Sequence, residues 1–84
     1  MSDDDFKVAK DYKILVLTHT FPGYYGRADT IREAKKNCLS EVGDKSKYKD
    51  LCIAFLAHKD VEVTGMGAWR RPANIPDPVR LGKV

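Results

Sequence analysis

The stretch Thr30-Ile31-Arg32-Glu33-Ala34-Lys35-Lys36-Asn37-Cys38-Leu39-Ser40-Glu41-Val42-Gly43 decides the fold. Thr30 and Glu33 have capping-box spacing, in which the Thr30 hydroxyl accepts from the Glu33 amide and the Glu33 carboxylate answers the Thr30 amide. Apolar residues then recur at Ile31, Ala34, Cys38, Leu39 and Val42, the spacing of one helical face. Lys35, Lys36 and Glu41 fall on the outer side, and Gly43 reads as a left-handed terminator. The pattern predicts an amphipathic helix over 31–42 whose apolar side needs a sheet to lie on.

That sheet is sought on either side of the helix. Upstream, Tyr12-Lys13-Ile14-Leu15-Val16-Leu17-Thr18-His19-Thr20 is rich in β-branched and large apolar residues; downstream, Leu51-Cys52-Ile53-Ala54-Phe55-Leu56-Ala57 is similar. Phe21-Pro22-Gly23-Tyr24 reads as a turn that feeds a short strand over 24–27, paired with the first. After a turn at His58-Lys59-Asp60, the alternation of Val61-Glu62-Val63-Thr64 predicts a strand that continues through Gly65-Met66-Gly67 to Trp69, with the glycines at a bend. Pro72, Pro76 and Pro78 exclude a helix beyond it. The expectation is an α+β fold of order β-(β)-α-β-β: a three- or four-stranded, mainly antiparallel sheet with one helix packed on one face. The chain divides into an acidic segment over 1–11, one domain over 12–71 and a Pro-rich extended tail over 72–84.

A sheet covered by a single helix should alternate apolar and polar residues. These strands do not. Ile14 and Val16 oppose Leu15 and Leu17; Leu51, Ile53 and Phe55 oppose Cys52, Ala54 and Leu56. The second apolar face therefore requires a cover, for which the sequence leaves three sources: the tail, a second copy of the chain in a homodimer, or a target protein.

With 84 residues, one domain is the expected count. The net charge of +3 is uneven: three aspartates occupy the first five residues, leaving +6 on residues 6–84. A charge of that size permits nucleic-acid contact without demanding it. The acidic start is unlike a targeting segment, no run has the roughly 18 apolar residues of a membrane helix, and the two cysteines form no CxxC. The chain is therefore expected in the cytoplasm, without membrane, metal or cofactor.

Three kinds of chemistry are open to these residues. His19 and His58 each end an apolar strand and could meet at one rim as the acid and base of an RNA-cleaving pair. Tyr24, Tyr25 and Arg27 before the helix, and Trp69, Arg70 and Arg71 after the last strand, interleave flat aromatic faces with fork-shaped donors. Lys45, Lys47 and Lys49 can extend that surface. The same residues suit a protein interface, where Tyr, Trp and Arg carry most of the energy. Each has a plain structural alternative: aromatics at a Pro-Gly turn fold over the core edge, a single tryptophan fills a core corner, and strand-end histidines are solvated. Without a glycine-rich phosphate loop or paired carboxylates, the expectation is a non-enzyme.

The segment Gly26-Arg27-Ala28-Asp29-Thr30-Ile31-Arg32-Glu33-Ala34-Lys35-Lys36-Asn37 resembles the helix start of HicB-type antitoxin domains, with Thr30, Glu33, Ala34 and Asn37 in matching places. In size, acidic start, basic body and strand–helix–hairpin order the chain is also similar to small phage accessory proteins, including anti-CRISPR inhibitors. These resemblances imply a small non-catalytic protein that modulates a larger protein or ribonucleoprotein. Direct DNA or RNA binding is the alternative, and a histidine-dependent ribonuclease the third.

Overall fold

The computed structural model describes residues 10–20, 23–63 and 69–84. It is an α+β fold. The strands are β1 (Tyr12–Thr18), β2 (Tyr25–Ala28), β3 (Cys52–His58), β4 (Glu62–Val63), β5 (Trp69–Arg70) and β6 (Val79–Lys83). Between β2 and β3 lie helix α1 (Ile31–Leu39), helix α2 (Lys45–Tyr48) and one 3-10 turn (Lys49–Leu51). The main sheet has the order β2-β1-β3-β6 with every neighbouring pair antiparallel, and β4 and β5 form a separate antiparallel pair.

Helix α1 starts as its sequence dictates. The Thr30 hydroxyl accepts from the Glu33 amide at 3.1 Å. It ends earlier than expected, because the backbone N–H and the hydroxyl of Ser40 both donate to the Asn37 carbonyl. The chain then turns once more, Val42 N–H bonding the Leu39 carbonyl and its side chain entering the core. Gly43 is therefore not a left-handed cap; Gly82 is the glycine with positive φ among the described residues.

The register explains the missing alternation. Ile14, Val16, Cys52 and Ala54 point to the α1 side and close a core with Ala34 and Cys38. Leu15, Leu17, Phe55 and Ala57 point the other way and form a second core with Val61, flanked by Val63, Trp69 and Ile75. The chain itself supplies the cover. The β4–β5 pair and Ile75 of the tail do so, and the face that the sequence left open to the tail, a second copy or a target protein is buried within one chain.

Two further expectations are corrected. Residues 61–69 are not one continuing strand: Glu62 pairs with Arg70 and Val63 with Trp69, so the chain reverses between them. The glycines expected at a bend, Gly65 and Gly67, lie outside the described residues, as do Phe21 and Pro22 of the expected turn. The tail is more than extended. Its residues Val79–Lys83 join β3 as an edge strand, with a bulge opposite Ala54 and Phe55 that leaves Leu81 as the extra residue. Gly82, at φ 118°, supplies the backbone conformation the bulge needs.

Candidate partner-binding surface

Strand β2 sorts the first group of candidate residues onto different faces. Tyr24, just before it, packs into the α1-side core and meets the Tyr48 ring edge-on with centroids 5.4 Å apart. Its N–H bonds the Thr18 hydroxyl at 3.1 Å and its carbonyl accepts from Thr18 N–H at 3.0 Å. Tyr24 is thus a fastener at the start of β2. Tyr25 and Arg27 stand opposite Leu17 and Leu15, so they belong to the second face. Gly26 and Ala28, between and after them, lie beneath α1.

Arg27 is committed to the fold. Its guanidinium donates to the carbonyls of Lys59 (3.3 Å) and Val61, tying edge strand β2 to the turn that leaves β3. Its Nε is buried and finds no partner among the described residues. Arg71 is committed as well. Its Nε pairs with Asp77 at 2.6 Å and its NH1 bonds the Ile75 carbonyl at 2.5 Å, closing the loop after β5. Trp69 stacks edge-on against Phe55, centroids 4.9 Å apart, at the margin of the second core. Of the six residues, Tyr25, Arg70 and Arg71 are exposed; Arg71 is held by Asp77 and the Ile75 carbonyl, and Arg70 stands beside Glu62 in the β4–β5 register.

The structure brings Tyr25 and Arg27 together with residues the sequence did not single out. A groove of about 650 Å³ runs between β2 and the start of β4, lined by Tyr25, Arg27, Lys59, Asp60, Val61, Glu62 and Val63. Tyr25 is 45% exposed on its wall. Beside it a second depression touches Lys13, Asp29, Glu33 and Lys59, where charges cancel locally: Lys13 pairs with Asp29 at 2.5 Å and Lys59 with Asp11 at 3.5 Å. No signal local to the sequence could assemble the groove. It depends on β2 pairing with β1 and on the turn after β3 folding back over the second face.

The two histidines do not meet. Because β1 and β3 are antiparallel, Tyr12 lies opposite His58 and Thr18 opposite Cys52, which puts His19 at the far end of the sheet from His58. Seven strand residues separate the two levels, roughly 20 Å. His58 is tucked edge-on against Tyr12, and its Nδ1 accepts from the Asp60 amide at 3.1 Å. The register excludes the meeting at one rim that the sequence left open beside the plain alternative of separate strand-end histidines.

No helix among the described residues is long and apolar enough to cross a membrane, and no group of three or more His, Cys, Asp or Glu residues there could hold a metal ion. No protein-family model, curated protein or solved structure matches the chain. The four residues of the helix-start resemblance all serve packing. Thr30 caps α1, Glu33 offers the capped amide, Ala34 is buried against the sheet, and the Asn37 amide bonds the Arg27 carbonyl at 3.0 Å.

Proposed function

We propose that the protein acts by stoichiometric binding of a larger protein or ribonucleoprotein, with the groove between β2 and β4 as the contact. The exposed Tyr25 ring on that groove's wall carries the reading. Tyrosine buries a large amphipathic surface at low entropic cost and is enriched among binding hot spots. The charged rim of Lys59, Asp60 and Glu62 around Val61 and Val63 has the make-up of an interface margin rather than of an enclosed, mostly apolar small-molecule site. Regulation by capture, as small phage inhibitors practise it, needs nothing further from the chain.

Direct nucleic-acid binding is less well supported. The forks of Arg27 and Arg71 are occupied by backbone carbonyls and Asp77, which leaves them few donors for phosphates.

A photo-crosslinking residue at position 25, and separately at exposed Glu41 on the helix side, tests the reading in extract of the source cells. Position 25 should capture one protein in equimolar yield, competed by unlabelled protein and not by unlabelled Tyr25→Ala. Equal labelling from both positions would refute the groove. Fluorescence anisotropy with duplex DNA and single-stranded RNA should show no binding at physiological salt; micromolar, salt-sensitive binding would favour the nucleic-acid reading instead.

A further inference from the structure

The α1-side core contains the protein's two cysteines, Cys38 and Cys52, both free and both buried. Cys38 lies one turn after Ala34 on the sheet-facing side of α1. Cys52 opens β3 on the face turned to α1. The two side chains are buried in the same packed cluster, with Ile14, Val16, Ala34 and Ala54 around them. We propose that Cys38 and Cys52 form a latent disulfide, closed by a hydroperoxide, that fastens helix α1 to strand β3.

In the closed fold the pair is inert, since burial holds the thiols protonated. Access comes through the segment that covers Cys52. Helix α2 and the 3-10 turn contain no buried residue, and Cys52 Sγ is held to that segment by a bond to the Tyr48 carbonyl at 3.5 Å. Elements with so little buried surface open at low cost while the rest of the fold stands. Cys52, which follows directly, is the sulfur exposed first. The nearby Lys35 ammonium favours its thiolate, whereas Cys38 stays within α1.

The chemistry balances. The Cys52 thiol gives its proton to solvent, and the thiolate attacks the peroxide, breaking the O–O bond. The departing oxygen takes up a proton and leaves as alcohol or water, with Cys52 now a sulfenic acid. Cys38 loses its proton and attacks Cys52 Sγ. The S–O bond breaks, and the hydroxide leaves as water with that proton. Two thiols lose two electrons in all, and the hydroperoxide gains them.

Reduced wild-type protein treated with hydrogen peroxide tests this by intact mass, peptide mapping and non-reducing electrophoresis. The expected product is a monomer lighter by two hydrogen atoms, with a peptide joining Cys38 to Cys52, reverted by dithiothreitol. Its denaturation midpoint should exceed that of the reduced form, because the link closes a loop of about 15 residues in the unfolded chain. Cys38→Ala should instead gain oxygen at Cys52 or dimerise. Stepwise oxygen addition to wild-type protein without a link, a disulfide between two molecules, or intact thiols under conditions that oxidise a cysteine peptide would each overturn the proposal.

Discussion

Gly26 is where helix and sheet approach most closely, and Gly26→Ala should be among the most damaging small changes to this protein. A Cβ at that position would lie 2.3 Å from Cys38 N, 2.4 Å from Ala34 O and 2.7 Å from the Asn37 carbonyl carbon. All three atoms are α1 backbone, so no rotamer change can relieve the clash. Restoring ordinary contact requires α1 to withdraw by about 1 Å, and a gap of that size forfeits about a quarter to a half of the dispersion energy of the contacts it opens. Those contacts include Ala34 and Cys38 against Ile14 and Val16. Overpacking costs typically about 1–3 kcal/mol, and rigid backbone on the opposing side puts this case at the top of that range. The lower entropy of an unfolded alanine chain returns about 0.4–1 kcal/mol. A net loss of about 2–3 kcal/mol is a large part of the stability of an 84-residue domain, about 4–13 kcal/mol. Urea titration read by far-UV dichroism and by fluorescence of Trp69 should show the midpoint falling with the slope unchanged. Gly43→Ala is the control: nothing lies within 4 Å of its Cβ, so stability should hold or rise slightly. If Gly26→Ala stayed within about 0.5 kcal/mol of wild type, the close approach of α1 to β2 would be refuted.

Arg27→Met keeps the aliphatic stem but deprives the Lys59 and Val61 carbonyls of their donor; it should cost about 1–3 kcal/mol in urea titration, and a neutral result would refute the clamp. Trp69→Ala removes the ring stacked on Phe55 and should cost about 3–5 kcal/mol by thermal or chemical denaturation, whereas a loss below about 1 kcal/mol would mean the second core stands without it. Burial, with Cys52 adding to it, pushes the Cys38 thiol from 9.0 up to about 12. The unfolded chain sheds that proton from about pH 9 while the native state keeps it, so stability should fall as pH rises from about 9 toward 12, by at most about 1.4 kcal/mol per unit for this group. Cys38→Ala should flatten that fall in pH-dependent urea titrations, and an unchanged slope would assign it to other groups.

Features fixed within a few residues were legible in the sequence, and features fixed by distant pairing were not. The α1 start could be read because Thr30 and Glu33 are three apart. Its end could not, because Ser40 closes the helix with two bonds to the Asn37 carbonyl while Val42 still contributes an apolar side chain one turn on. Helix α2 has a local signal of its own: Asp44 caps it, its carboxylate accepting from the Lys47 amide at 3.1 Å. β6 was hidden behind three prolines, although Val79, Arg80 and Leu81 alternate as an edge strand does. The need for a cover on the second sheet face was plain from Leu15, Leu17, Ile53 and Phe55. Its identity rested on a chain reversal between Val63 and Trp69, where the glycines in the sequence suggested only a bend within one strand. Among the candidate site residues, aromatic and basic character marked Tyr24, Arg27, Trp69 and Arg71, and the same character suits them to fasten the fold. Composition cannot separate a guanidinium offered to solvent from one that holds two carbonyls.

What separates them here is strand parity. In β2, Gly26 and Ala28 face α1 while Tyr25 and Arg27 face the opposite side. A slip of one residue against β1 would exchange the sets and bring Tyr25 or Arg27 under the helix. There the backbone of Ala34, Asn37 and Cys38 lies too close even for a methyl group. The approach of α1 that requires glycine at position 26 therefore also forbids the register that would bury Tyr25. The Tyr25 ring stands on the groove wall because of how the helix packs, and not because of anything in its immediate sequence. A variant that relaxes the helix contact should thus lose partner capture even with Tyr25 intact. Gly26→Ala at a temperature where it remains folded separates the two contributions: capture that survives undiminished would show that the groove holds its shape without the close approach of α1.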